Sequence, residues 1–207
     1  MANRKNSFQD RALKYMEEKY GEEFTYVSDW GSNYANNGTQ MILVQCASVS
    51  GKILVVGPAD TREGPYSDNY LAVKYADKLI STVEGTANSC FSSSWVSHEV
   101  LKQTLSPALP ADASFEEYCA DPGASVALAI AVPASRFHSE EVQKFADAIQ
   151  RSGIHGLIQF AAIDDGLVES LTYTQFSDII SAKTYQYYAV ITISNGTVTI
   201  DSSEVNP

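Results

Sequence analysis

Apolar residues recur at helical spacing at the start of the chain. Phe8, Ala12, Tyr15, Met16 and Tyr20 fall near one-turn intervals, so residues 7–20 read as an amphipathic helix with Lys14, Glu17, Glu18 and Lys19 on its wet side. Ser7, followed three residues later by Asp10, is a capping pattern, and Gly21 supplies the stop. Residues 24–30 then read as a strand and the Asn/Ser/Gly-rich 31–38 as a loop. Residues 41–47 and 52–56 are apolar on both faces and separated by a turn around Ser50-Gly51, which predicts a hairpin placed centrally in a sheet. A turn-rich loop over 58–65 precedes a helix capped by Ser67 and running to about Ser81. The stretch 83–123 reads as irregular and loop-rich, with a short helix over 97–104 and a helical turn over 114–119.

The second half is more regular. Residues 124–132 and 154–163 are apolar strands. Between them lies a helix capped by Ser139, with Val142, Phe145, Ala146 and Ile149 on one face and Gly153 closing it. Strand, helix and strand with short connections imply a right-handed βαβ crossover and a parallel pair. A helix over 172–182 follows. Asn195-Gly196 is the preferred type I′ turn pair, which sets Ser194 opposite Thr197, Ile193 opposite Val198 and Ile191 opposite Ile200. Tyr185, Tyr187 and Ala189 extend the same face. These elements predict an α/β (or α+β) fold: a mixed β-sheet of about six or seven strands with helices packed on it, one βαβ unit and a C-terminal β-hairpin. The chain reads as a single globular domain over residues 1–207, with 1–6 flexible.

With 207 residues, 44% of them hydrophobic, the chain can bury a core without a disulfide or metal. The net charge of −11 and the absence of a Lys/Arg run beyond Arg4-Lys5 exclude nucleic acid as a partner. No apolar run is long enough to span a bilayer, and the N-terminus lacks the apolar core of a signal peptide. Cys46 sits in an apolar strand pattern as a small hydrophobe. Cys90 and Cys119 flank polar sequence and are able to pair in an oxidising compartment.

Standard catalytic signatures are missing, including G-x-S-x-G, the P-loop, G-x-G-x-x-G and H-E-x-x-H. His98 follows the serine-rich Ser92-Ser93-Ser94, but neighbours in sequence do not make a nucleophile and base, and a polar loop with a capping serine explains the run. His138 and His155 read as structural. Asp164-Asp165-Gly166 follows the second strand of the βαβ unit, where open α/β sheets take ligands; the plainer reading is a D-G turn. Tyr66-Ser67-Asp68-Asn69-Tyr70 is a second polar-aromatic cluster, for which helix capping by Ser67 and Asp68 suffices. Asp164, Asp165, Tyr66, Asp68 and Tyr70 are therefore the candidate binding residues; no catalytic residue, metal ligand or cofactor is assigned. Asn37-Gly38-Thr39 and Asn195-Gly196-Thr197 match the glycosylation sequon, though turn formation explains both.

The runs Leu13-Lys14-Tyr15-Met16-Glu17-Glu18-Lys19-Tyr20-Gly21-Glu22-Glu23-Phe24 and Tyr66-Ser67-Asp68-Asn69-Tyr70-Leu71 resemble uncharacterised exported proteins of Gram-positive bacteria, over about the first 80 residues. The resemblance implies an extracytoplasmic domain and carries over no catalytic residue. The expectation is a non-enzymatic binding or accessory domain with another protein or a glycan as partner, extracytoplasmic rather than cytoplasmic. The alternatives are an acidic intracellular antagonist or immunity-type protein, and a hydrolase using Ser/His or the aspartate pair.

Overall fold

The computed structural model describes residues 7–33, 38–59, 65–99, 109–121 and 123–204. The chain is α/β and folds as two compact units, 1–75 with 100–124 and 76–99 with 125–207. The nine strands among the described residues divide into two sheets, of four and five, where the sequence suggested one sheet of six or seven. Apolar patterning marks strands without saying which of them pair, and the two shortest strands carry little pattern at all.

The first unit opens with α1 (Phe8–Tyr20), in which Phe8, Ala12 and Met16 are buried. Its capping box forms as expected: Asp10 N donates to Ser7 Oγ at 3.2 Å, and Gly21 closes the helix at φ 70°. Then come β1 (Thr25–Asn33), β2 (Thr39–Gln45), β3 (Ile53–Pro58) and the two-residue β4 (Ser67–Asp68), hydrogen-bonded in that order and antiparallel throughout. Ile42, Leu43 and Val44 of β2 and Ile53, Leu54 and Val55 of β3 are all buried, as two covered faces require. Helix α3 (Phe115–Ala120) takes its capping box from Ser114 and Glu117.

Helix α2 (Tyr70–Phe91) corrects two expectations. Ser67 does not cap it, because Ser67 and Asp68 pair with Val56 and Val55 of β3. Asn69 completes that attachment: its Oδ1 accepts from Leu54 N at 2.6 Å and its N–H donates to Leu54 O. The helix also runs well past Ser81. Leu79, Val83, Ala87 and Phe91 repeat every fourth residue and are buried. The small polar residues that suggested a loop turn their hydroxyls back to the helix backbone, Thr82 to Lys78 O, Thr86 to Thr82 O and Ser89 to Thr86 O.

In the second unit β5 (Trp95–His98) takes in the first two residues of the helix expected over 97–104, and residues 100–104 of that range lie outside the described residues. β5 pairs with β6 (Val126–Pro133), whose edge backbone needs a partner that a helix would not supply. Residues 100–108 lie outside the described residues, as do 1–6, 34–37, which include Asn37 of the first sequon, and 60–64 of the loop expected over 58–65. β6 pairs in parallel with β7 (Gly156–Ile163), joined by α4 (Glu140–Arg151), so the βαβ unit stands. Ser139 occupies the start of α4 but makes no side-chain cap bond; Val142, Phe145, Ala146 and Ile149 are buried as the periodicity requires. The parallel strands approach so closely at their start that a Cβ on Gly156, at φ 141°, would lie 2.1 Å from Val126 O.

A short helix α5 (Asp165–Val168) and α6 (Tyr173–Ala182, capped by Thr172) lead into the hairpin β8 (Tyr187–Ser194) and β9 (Thr197–Glu204). Its register is the expected one, and Asn195 and Gly196 take φ 50° and 73°. Side chains alternate across this sheet. One face brings Phe91 of α2 and Phe145 of α4 onto Phe160 of β7, at ring centroid distances of 5.1 and 6.0 Å. The opposite face packs Ala129, Ala131, Ala161 and Ile163 against Val168, Leu171 and Phe176.

Candidate functional site

The segment 66–70 has one of the chain's densest polar networks, and it is internal to the first unit. Pairing of β4 with β3 draws Asp68 inward until it is buried. The capping box sets the phase of α1, so that Tyr15, Lys19 and Tyr20 meet that carboxylate. Tyr15 and Tyr20 hydroxyls donate to Asp68 Oδ2 and Oδ1 at 2.8 and 2.7 Å. Lys19 Nζ donates to Oδ2 at 2.9 Å, and Tyr70 N to Oδ1 at 3.0 Å. Lys19, read as a wet-side residue, has only 15% of its side chain exposed and is an ion-pair partner instead. Asp68 thus has two acceptors on each oxygen filled.

Aromatic rings flank the carboxylate. Tyr15 stacks on Tyr66 at 5.1 Å, and Tyr20 on Tyr70 at 4.0 Å. Tyr66 Oη accepts from Arg11 Nε at 3.2 Å. Tyr70 Oη donates to Glu22 Oε1 at 2.7 Å, and Ser48 Oγ to the same oxygen at 2.6 Å. Burial, then the neighbouring Asp68 charge, pushes Tyr15 and Tyr20 upward from the ordinary phenol range. Burial likewise pushes Tyr70 up to about 12, against a hydrogen bond from Ser48 and assisted by Glu22. Burial alone would raise Glu22, but hydrogen bonds from Ser48 and Tyr70 outweigh it and hold the carboxyl below its usual value. At neutral pH Tyr15, Tyr20 and Tyr70 are therefore donors and Glu22 an acceptor. The arrangement ties α1, the β2–β3 turn, β4 and the start of α2 together.

The aspartate pair lies in the second unit. Asp164 Oδ1 accepts from Gly166 N at 2.9 Å and caps α5. Asp165 Oδ1 accepts from Ser135 N at 3.1 Å and its Oδ2 from Ser135 Oγ, which holds its carboxyl below the usual range. Asp165 thereby joins the segment after β6 to the segment after β7. Among the described residues no three His, Cys, Asp or Glu side chains converge as a metal-holding group. His98 lies on β5, while Ser94 donates to Asn88 Oδ1 at 2.9 Å. His155 Nε2 is buried without a hydrogen-bond partner among the described residues. No disulfide forms among the described residues, and Cys46 is half-buried just beyond β2 rather than inside the sheet.

Of the tyrosines expected on one face of the hairpin, Tyr187 is buried against Phe160, whereas Tyr185 is buried beside Tyr188 in the cluster that α6 covers on the opposite face. Two aromatics among the described residues are exposed, Trp30 at 50% and Tyr173, on α6, at 36%. The β1–β2 register shifts between Asp29 and Gly31, making Trp30 the extra residue of a β-bulge on the edge of the four-stranded sheet. A bulge re-aims a side chain, here away from the sheet. The sequence signal was a large aromatic set between Asp29 and Gly31, where alternation breaks. No protein family matches the chain, and no curated protein or solved structure is significantly similar to it.

Proposed function

We propose that the chain is a non-enzymatic binding or accessory domain, working outside the cytoplasm, that holds another protein or a glycan against the bulged edge of β1 through Trp30. The exposed indole carries this reading. Trp has a large apolar face and one N–H donor, and it is over-represented where partners bind. The Asp68 network supports the reading from the other side, since its donors and acceptors are spent on one another. The test is retention of the protein on a glycan array and on fractionated cell-surface proteins, beside turnover assays with generic ester, phosphate and glycoside substrates. Truncating a central aromatic anchor costs about 2 kcal/mol or more, so Trp30→Ala is expected to weaken retention roughly thirtyfold. Retention that ignores the substitution, no retention on either panel, or turnover lost with His98→Ala or Asp164→Ala would each count against the proposal.

A second reading, an acidic intracellular antagonist or immunity-type protein, draws support from the unbridged thiols of Cys46 and Cys90, both reaching solvent, together with the net charge of −11. It predicts capture of a basic protein partner instead of a surface ligand.

A further inference from the structure

The two sheets have four edges, and three are blunted in the ways that prevent strand addition. β4 is two residues long and β5 four. β1 is long but broken by two register shifts. β9 differs: eight residues pair with β8 without a shift, and no described strand lies beyond it. Across a two-residue turn Ser194 and Thr197 form a hydrogen-bonded pair, so alternate residues from Val198 turn their N–H and C=O groups outward. Val198, Ile200 and Ser202 therefore present a row of backbone donors and acceptors. Thr197, Thr199, Asp201 and Ser202 are exposed, and Val198 and Ile200 only half-buried.

We infer that β9 is a docking edge for an extended, cationic segment of a partner protein, added as a sixth strand to the sheet. Charge selects the occupant. No Lys or Arg occurs from Thr184 to the C-terminal residue, while Asp201 stands exposed in the middle of the strand. The chain's charge of −11 disfavours a second copy, which would set acidic edges side by side. Alternation fixes the rest: apolar side chains on one face of the added strand extend the Val198–Ile200 row, and Lys or Arg on the other meet Asp201. This inference goes beyond the Trp30 reading and uses a different unit of the chain.

The probe is a blocked eight-residue peptide alternating valine and lysine, titrated into the full chain by calorimetry. Saturable one-to-one binding is expected. The same peptide N-methylated at alternate amides should bind at least tenfold more weakly. Ser202→Pro removes an outward N–H without touching the β8 ladder, and it should weaken binding at least tenfold with unchanged circular dichroism. Asp201→Lys should weaken the lysine peptide and favour its glutamate counterpart. Trp30→Ala should bind as the parent does, which separates this proposal from the previous one. No binding, binding indifferent to N-methylation, or a dimer dissolved by Ser202→Pro would overturn it.

Discussion

Asp68→Asn removes one charge from the middle of the first unit and leaves its shape almost unchanged. The carboxylate accepts two tyrosine hydroxyls, the Lys19 ammonium and the Tyr70 N–H, and none of its side chain is exposed. The amide offers one acceptor oxygen in place of two and turns an NH2 group toward donors. Lys19, 15% exposed, loses its counter-charge. Leaving one member of a buried pair uncompensated costs about 3–5 kcal/mol, a large share of the ~5–15 kcal/mol that holds a typical domain together. With a urea slope of about 1–3 kcal/mol per molar, the midpoint should fall by at least about 1 M. Unfolding is followed through Trp30 fluorescence in a Trp95→Phe background, because Trp30 belongs to the first unit and Trp95 to the second. Adding Lys19→Met removes the stranded cation and should recover part of the loss. A loss below about 1 kcal/mol for Asp68→Asn would refute the reasoning, since an exposed pair is worth no more than that.

The tyrosines predict an alkaline limit. Folding raises the Tyr70 pKa from 10 to about 12, and Tyr15 and Tyr20 move the same way. Above pH 10 the unfolded chain gives up phenolic protons that the folded chain keeps, so stability is full below pH 10 and falls as pH rises toward 12. Tyrosinate absorbance should accordingly show ionisation of these three residues together with unfolding, whereas independent titration near pH 10 would contradict their placement. Gly156→Ala should destabilise the chain by about 1–3 kcal/mol, through the clash with Val126 and the strained φ, read as a lowered midpoint in thermal unfolding. An unchanged midpoint would mean that β6 and β7 start farther apart.

Sequence alone revealed what local patterning determines. The α1 capping box, the α4 apolar face, the parallel β6–β7 pair and the Asn195-Gly196 register all follow from spacing and turn chemistry within a few residues. The division into two sheets did not, because strand partners are chosen by long-range packing. Nor did the length of α2: Thr82, Thr86 and Ser89 resemble loop residues until their hydroxyls are seen returning to the helix. Tyr66, Asp68 and Tyr70 were singled out for their types, but their roles were legible only as capping. The groups that complete the network, Tyr15, Lys19 and Tyr20, lie some 50 residues away. Trp30 looked like the end of a strand, and only the register shift beside it explains why it faces solvent.

The account holds that the polar groups of the first unit close on one another while the edge of β9 stays open. Residue-resolved amide hydrogen exchange tests both halves in one experiment. The N–H groups of Leu54 and Tyr70, given to Asn69 and Asp68, should exchange slowly, as should those of Thr197, Thr199 and Asp201. Those of Val198, Ile200 and Ser202 should exchange fast in the free protein. Slow exchange at these three, or fast exchange at Leu54 and Tyr70, would contradict it.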